Sequence, residues 1–365
     1  MAKRVIISGG GTGGHIFPAV AIANALKRID PNIEVLFVGA KGKMEMEKVP
    51  AAGYRIIGLD IQGFQRKALW KNILLPFKIL SSVMQSIKII KDFKPNVAVG
   101  VGGYASGPLL YAASILNIPY LIQEQNSYAG ITNKRLSKKA KKICVAFEGM
   151  DKFFPAEKIM LTGNPIRRES VQIEGKREEA FAHFGLLPSK KILLVTGGSL
   201  GAGTLNKSML HSLEKLVDED VQLIWQTGKY YFQSIQQEME ENSFPGIKVY
   251  EFLNRMDLAY AAADVIVSRA GAGTIAELCV VGKPVILVPS PNVAEDHQTK
   301  NAIALVNNGA AILVADSIAE RELVETAISL IKNLQKCDEL GRNIRKMALK
   351  DADEIIAKEV LRIAG

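Results

Sequence analysis

Four glycine-rich stretches stand where an apolar run gives way to a helical pattern: SGGGTGGHIFPA (8–19), VGVGGYASGP (99–108), TGGSLGAGTLN (196–206) and SRAGAGTIAEL (268–278). Glycines at such a junction let backbone N–H groups approach an anion closely, and the helix that follows adds the positive end of its dipole. The chemistry this serves is the holding of phosphate or diphosphate. In the first stretch the anion belongs near Thr12, Gly13 and Gly14, with His15 beside it as an ionisable group. In the third, Ser199 is a polar side chain among small residues. In the fourth, a helix starts from Gly271, Ala272, Gly273 and Thr274, and Glu277 lies one turn inside it. A carboxylate there could accept hydrogen bonds from ribose hydroxyls, although an ordinary first-turn helix acid has the same appearance.

Two further segments carry reactive types. QEQNSYAGITNK (123–134) sets Glu124 and Asn126 after the apolar PYLI, so that a carboxylate could orient a reacting hydroxyl or share general-base work with His15. PSPNVAEDHQTKNAIAL (289–305) crowds Glu295, Asp296, His297 and Gln298 ahead of a helix, where they could meet a sugar.

Other chemistries find less support. Gly9, Gly11 and Gly14 satisfy G-x-G-x-x-G, but the next strand, EVLFVGAKGK, ends in Gly39, Ala40 and Lys41, without the acid that a dinucleotide ribose needs. That argues against NAD, and no cofactor is expected. The four histidines (His15, His183, His211, His297) are scattered without ligand spacing, so no metal site is expected. There is neither a G-x-S-x-G elbow nor a P-loop. The acidic triplet Asp218–Asp220 ends a helix before a strand and reads as surface charge.

The elements that must position these residues alternate along the whole chain. Strand-like runs (RVIIS, VLFVG, NVAVGVG, YLIQEQ, KICVAF, then KILLVTGG, VQLIWQTG, IKVYEF, DVIVSRAG, PVILVPS, AAILVA) are separated by helical stretches. The alternation implies α/β units with parallel sheets wrapped by helices. VIISGGGTGGHIFPAVAIANAL is loosely echoed by ILLVTGGSLGAGTLNKSMLHSL, so two Rossmann-like units in tandem are expected. The break falls near TGNPIRRES (162–170), giving domains 1–164 and 165–344, and a last helix at about 345–365 returns to the first unit.

A chain of 365 residues with 48% hydrophobic and 23% charged residues has the balance of a two-domain globular protein. Its three cysteines lie far apart, which suggests a reducing compartment. The opening MAKRVIISGGG holds too short an apolar run for a signal peptide, and no stretch is long enough to span a bilayer. Charge is uneven: residues 1–165 carry 23 Lys and Arg against 10 Asp and Glu, and the remainder 23 against 27. The first half is therefore suited to something anionic. Within it, residues 66–94 interleave Trp70, Ile73, Leu74, Phe77, Leu80, Met84 and Ile87 with Lys67, Lys71, Lys78, Lys88 and Lys91, and Pro76 splits the segment into two helical pieces. Such a pattern suits rest on an anionic membrane surface, as well as plain packing against a core.

Taken together, GGGTGGHIFPA, GVGGYASGP, QEQNSYAGITNK, TGNPIR, TGGSLGAGTLN and SRAGAGTIAEL resemble the MurG family of bacterial N-acetylglucosaminyltransferases, in the family's order and from about residue 4 to the last helix. The resemblance implies a GT-B fold, two Rossmann-like domains with parallel sheets facing across a cleft. It implies inverting, metal-independent transfer of GlcNAc from UDP-GlcNAc to the 4-hydroxyl of the muramyl sugar on undecaprenyl-diphosphate-linked muramoyl-pentapeptide (lipid I), giving the β-1,4-linked lipid II of peptidoglycan synthesis. The family's donor contacts fall on Thr12, Gly13, Gly14, Asn126, Arg167, Ser199, Leu253, Gly271–Thr274, Glu277 and Gln298, with His297 as an alternative to Gln298. Acceptor diphosphate contacts fall on Thr12, Gly13, Gly14, Gly102, Gly103 and Tyr104, and the base candidates are His15 and Glu124. Gln123 stands where many members have His, which adds weight to His15. The implied location is peripheral, on the cytoplasmic face of the bacterial inner membrane, with no nucleic-acid partner. A UDP-GlcNAc 2-epimerase of the same fold and a non-enzymatic nucleotide-sugar or nucleic-acid binder are the competing readings. The epimerase needs no lipid acceptor, and a binder of bases would want a more aromatic surface.

Overall fold

Short β-branched and leucine-rich runs become strands because helices cover both faces of the sheets they form. The computed structural model describes residues 2–61, 75–198, 200–293 and 296–365. Ser199, Glu295 and the aromatic-basic segment containing Lys67, Trp70, Lys71, Ile73 and Leu74 therefore lie outside the described residues. The chain divides into one unit of residues 1–166 and 349–365 and another of residues 167–348.

In the first unit β1 (Arg4–Gly9), β2 (Glu34–Ala40), β3 (Arg55–Leu59), β4 (Val97–Gly102), β5 (Tyr120–Glu124), β6 (Lys142–Val145) and β7 (Ile159–Leu161) form one sheet in the order β3-β2-β1-β4-β5-β6-β7. In the second, β8 (Lys191–Thr196), β9 (Val221–Gln226), β10 (Ile247–Tyr250), β11 (Val265–Ser268), β12 (Val285–Leu287) and β13 (Ile312–Leu313) follow the order β10-β9-β8-β11-β12-β13. Every pairing is parallel. The α/β class with two Rossmann-like sheets, expected from the alternation, is what the chain forms. In both sheets the first strand is central and the order reverses beside it, so β1/β4 and β8/β11 are the switch points where parallel sheets leave a crevice for ligands.

Successive residues of β1 face opposite sides, as the two-residue strand period requires. Val5 and Ile7 pack with Ile16, Ile22 and Leu26 of the helix Gly13–Ile29, and Ile6 packs with Val38, Leu109 and Tyr120 on the other face. The last helix, Ala352–Ile363, returns to the first face through Ile356, Ala357 and Val360. The second unit closes around Trp225, fully buried, whose indole N–H donates to Asn206 Oδ1 at 3.0 Å.

Helix Leu75–Phe93 holds Pro76 in its first described turn, where a missing N–H is harmless, and the helical piece expected before Pro76 lies outside the described residues. Its inward face carries Ser82, Ser86, Val83 and Ile90, while Phe77, Leu80 and Met84 are exposed (71%, 61% and 65%). Ile87, grouped with those apolar residues in the sequence, instead packs toward the core.

Candidate active site

Because β1 and β4 are neighbours, the glycine loops that follow them meet, and Gly10 N–H donates to Gly102 O at 3.2 Å. Thr12 is extended (φ −145°, ψ 160°), and its carbonyl accepts from His15 N–H (3.1 Å) and Ile16 N–H (3.2 Å), which starts the helix at Gly13. First-turn N–H groups have no partner within their own helix, so Thr12, Gly13 and Gly14 stand at a positive helix end. Gly102 and Gly103 lie against the same loop, and the half-exposed Tyr104 has Lys43 Nζ 6.0 Å from its ring centroid.

The His15 ring packs on Gly102, where a Cβ would come within 2.6 Å of it. Its Nδ1 lies 3.1 Å from Gly10 O and 3.4 Å from Thr12 Oγ1. A carbonyl only accepts, so a hydrogen bond from the ring to Gly10 O requires the proton on Nδ1.

Glu124, at the end of β5, is 2% exposed. Its oxygens accept from Asn126 N–H (3.2 Å) and Asn126 Nδ2 (3.5 Å), and from Gly130 N–H (3.1 Å) and Asn133 Nδ2 (2.9 Å). This carboxylate thus ties down the loop that carries Asn126. Gln123, fully buried, donates to Asn164 Oδ1 at 2.9 Å, and Asn164 Nδ2 donates to Gln125 O at 3.0 Å. Gln123 thus belongs to an internal amide network.

In the second unit the loops after β8 and β11 border a cavity of about 520 Å³, within the range of small-molecule sites. Its walls include Gly197, Gly198 and Gly201–Thr204 at the start of helix Gly203–Leu210, and Gly271 and Thr274 at the start of helix Ala272–Val281. Two helix N-termini thus open on one cavity, an arrangement whose N–H groups favour an anion. Gln298 lines it and its side-chain oxygen accepts from Ser290 N–H at 2.8 Å. Among the described lining residues Gln298 is present and His297 is not. Leu253 is buried, with its N–H donating to Gln226 Oε1 at 3.1 Å. Glu277 is not among the described residues that line the cavity; it receives the Tyr260 hydroxyl at 3.2 Å, with Arg167 Nη2 at 3.9 Å. Burial pushes the Glu277 carboxyl above its ordinary range, while Arg167 and the Tyr260 bond pull it down.

Several residues of these sites escaped the sequence reading. Arg269 donates to Asp316 at 2.5 Å and to the carbonyls of Val288 and Pro289, and Thr204 donates to Asp316 at 3.0 Å. Together they fix the cavity floor. Arg269 and Thr204 sit inside quoted glycine motifs, whereas Asp316 follows β13 with no motif around it. In the first unit Glu45 is 1% exposed and accepts from Gly11 N–H at 2.8 Å and Ala40 N–H at 3.0 Å. Two residues of the acidic triplet form surface ion pairs, Asp220 with Lys190 at 2.5 Å and Glu219 with Lys332.

Residues 5–145 match the glycosyltransferase family 28 N-terminal domain and residues 192–356 its C-terminal domain. Fold and cavity thus define a glycosyltransferase of that class. The chain is 56% identical over 365 residues, covering all of it and 96% of the relative, to the UDP-N-acetylglucosamine–N-acetylmuramyl-(pentapeptide) pyrophosphoryl-undecaprenol N-acetylglucosamine transferase of Bacteroides fragilis. A protein of the same name from Parabacteroides distasonis is 54% identical, over 99% of this chain and 98% of its own length. The crystal structure of Acinetobacter baumannii MurG superposes with a TM-score of 0.80 at 30% identity, covering 99% of each chain. The chain belongs to the MurG family.

Proposed function

We propose that the protein transfers GlcNAc from UDP-GlcNAc to the 4-hydroxyl of the muramyl sugar of lipid I, forming lipid II for peptidoglycan. The observation that carries this reading is the end-to-end similarity to transferases of that name. Full-length identity above one half also favours the transferase over an epimerase or a simple binder.

The second unit is assigned the donor. The helix starts at Gly203 and Gly271, which line the cavity, would meet the UDP diphosphate, and Gln298 the sugar; Glu277, Ser199 and Leu253 take the roles that the family resemblance gives them, Glu277 at the ribose. The first unit is assigned the acceptor, with its diphosphate on Thr12–Gly14 and the Gly102–Tyr104 loop. His15 is the base. Its Nε2 takes the proton of the 4-hydroxyl, the oxygen bonds to C1 of GlcNAc from the face opposite UDP, and the C1–O bond to UDP breaks with its electron pair leaving on the diphosphate. UDP is a good leaving group, so one base suffices. Glu124, with four donors already on its oxygens, shapes the Asn126 loop instead of taking a proton.

The acceptor's polyprenol puts the reaction at a membrane. No described helix is long and apolar enough to cross one. We assign the exposed Phe77, Leu80 and Met84, with Lys88 and Lys91 nearby, to peripheral contact with anionic lipid on the cytoplasmic face of the inner membrane. The test is UDP release from UDP-GlcNAc by purified protein with and without lipid I. Release that depends on lipid I, with lipid II formed, is expected; turnover of UDP-GlcNAc alone would point to the epimerase, and none at all to a binder.

A further inference from the structure

We propose that Glu45 is a positioning residue for His15, acting through the Gly10–Gly11 peptide. The inference rests on the assignment of His15 as base. It starts from a geometric coincidence: Gly11 N–H and Gly10 C=O are the two ends of one peptide group. Glu45 Oε2 accepts from the N–H at 2.8 Å, and His15 Nδ1 lies 3.1 Å from the carbonyl oxygen. A carboxylate, a peptide and an imidazole thus form one hydrogen-bonded line, in which each bond polarises the next. A carboxylate drawing on the N–H makes the carbonyl a stronger acceptor, which favours the Nδ1–H tautomer and stabilises the imidazolium that forms when Nε2 takes a proton. In serine hydrolases an acid in direct contact with the histidine does the same work.

The site is built for this carboxylate. Its other oxygen accepts Ala40 N–H at 3.0 Å, which anchors the acid to the end of β2. A Cβ on Gly10 would come within 2.3 Å of Oε1, and one on Gly39 within 2.6 Å of Cγ, so both neighbours must be glycine for the side chain to fit. The acid also reaches the edge of the crevice where a dinucleotide fold keeps a carboxylate for ribose, but turns it inward on the chain's own backbone. The absence of an acid at Gly39–Lys41 is thereby explained: the carboxylate comes from the next helix, Glu45–Ala51, and serves the loop rather than a ligand.

The test combines ring 15N NMR with a double-mutant cycle. The chain has four histidines, so labelled His15 signals can be assigned by difference with His15→Ala. Wild-type protein is expected to show Nδ1 protonated and Nε2 unprotonated, and Glu45→Gln to lose that preference. With lipid I, Glu45→Gln should lower kcat by about tenfold to a hundredfold with KM for UDP-GlcNAc unchanged. In a His15→Ala background the same change should cost nothing further, because the group it positions is gone. An Nε2–H tautomer in the wild type, or an equal loss with and without His15, overturns the inference. If His15→Ala keeps full kcat, it is the base assignment that falls, and the tautomer alone then decides for or against Glu45. If Glu45→Gln does not fold, Glu45→Asp replaces it; its shorter arm cannot span both N–H groups, and it should show the same tautomer loss and an intermediate kcat.

Discussion

Glu277 is a carboxylate under opposing pulls. Burial disfavours its charge, whereas Arg167 at 3.9 Å and the Tyr260 hydroxyl at 3.2 Å favour it. Tyr260 is itself buried and held far above its ordinary range, first by that burial and then by the neighbouring carboxylate, so it remains a donor. If ionised Glu277 accepts the ribose hydroxyls, UDP affinity falls as pH drops through a carboxyl pKa that lies above the usual one. Replacing Tyr260 by Phe removes a bond to the charged form, which raises that pKa further. Tyr260→Phe should therefore weaken UDP binding by about 1 kcal/mol, roughly fivefold, at neutral pH, and move the acid-side loss to higher pH. Calorimetric titration of UDP across pH 5 to 8 measures both, and coincident profiles for the two proteins would remove Glu277 from ribose binding. At this scale the sequence was legible where a residue's role is set by its neighbours in the chain. Thr12–Gly14 and Gly271–Thr274 do begin helices. It was opaque where partners come from afar: Asp316 reaches Arg269 across 47 positions and Glu45 reaches Gly11 across 34.

Among the elements, the buried strands announced themselves, as did the second sheet's edges β10 and β13 within IKVYEF and AAILVA, whereas the first sheet's edges did not. β1, β4, β5 and β8 carry unbroken apolar runs because both their faces are covered. β3 (RIIGL) and β7 (IML) are half-buried edges, too short and too mixed in polarity to stand out from loop, and neither was read. Helix Leu75–Phe93 shows how a helical period can mislead about direction. Small Ser82 and Ser86 face inward, satisfied through Asp60 O and Ser82 O, while the large apolar residues turn outward at positions 77, 80 and 84. Burying such side chains in lipid would return about 1.5–3 kcal/mol each. Changing Phe77 and Leu80 together to Ser should thus reduce binding to anionic phospholipid vesicles at least tenfold, with UDP affinity unaltered. The residual binding should fall with added salt, since the lysines remain. Sedimentation with vesicles reads this directly, and equal pelleting of variant and wild type would take the helix out of the membrane contact.

For the whole molecule the consequential fact is that each sheet has its own core and the chain crosses between the units twice. After Ala348 the last residues rejoin the first unit. Ile356, Ala357 and Val360 are wholly buried there, and Asp353 pairs with Arg28 at 2.5 Å. The first unit's stability thus depends on a segment that rejoins it from across the whole of residues 167–348, whereas UDP is assigned to the second alone. Truncating a buried isoleucine costs about 2–5 kcal/mol through lost burial and the cavity left behind. A ligand stabilises only the unit it binds, by about 2.7 kcal/mol at a hundred times its Kd. Scanning calorimetry should therefore resolve two transitions. Ile356→Ala should lower one of them by several degrees, and UDP should raise the other, in the variant as in the wild type. One transition moved by both changes would mean that the units unfold together, and that the division of labour between acceptor and donor is not matched by a division of stability.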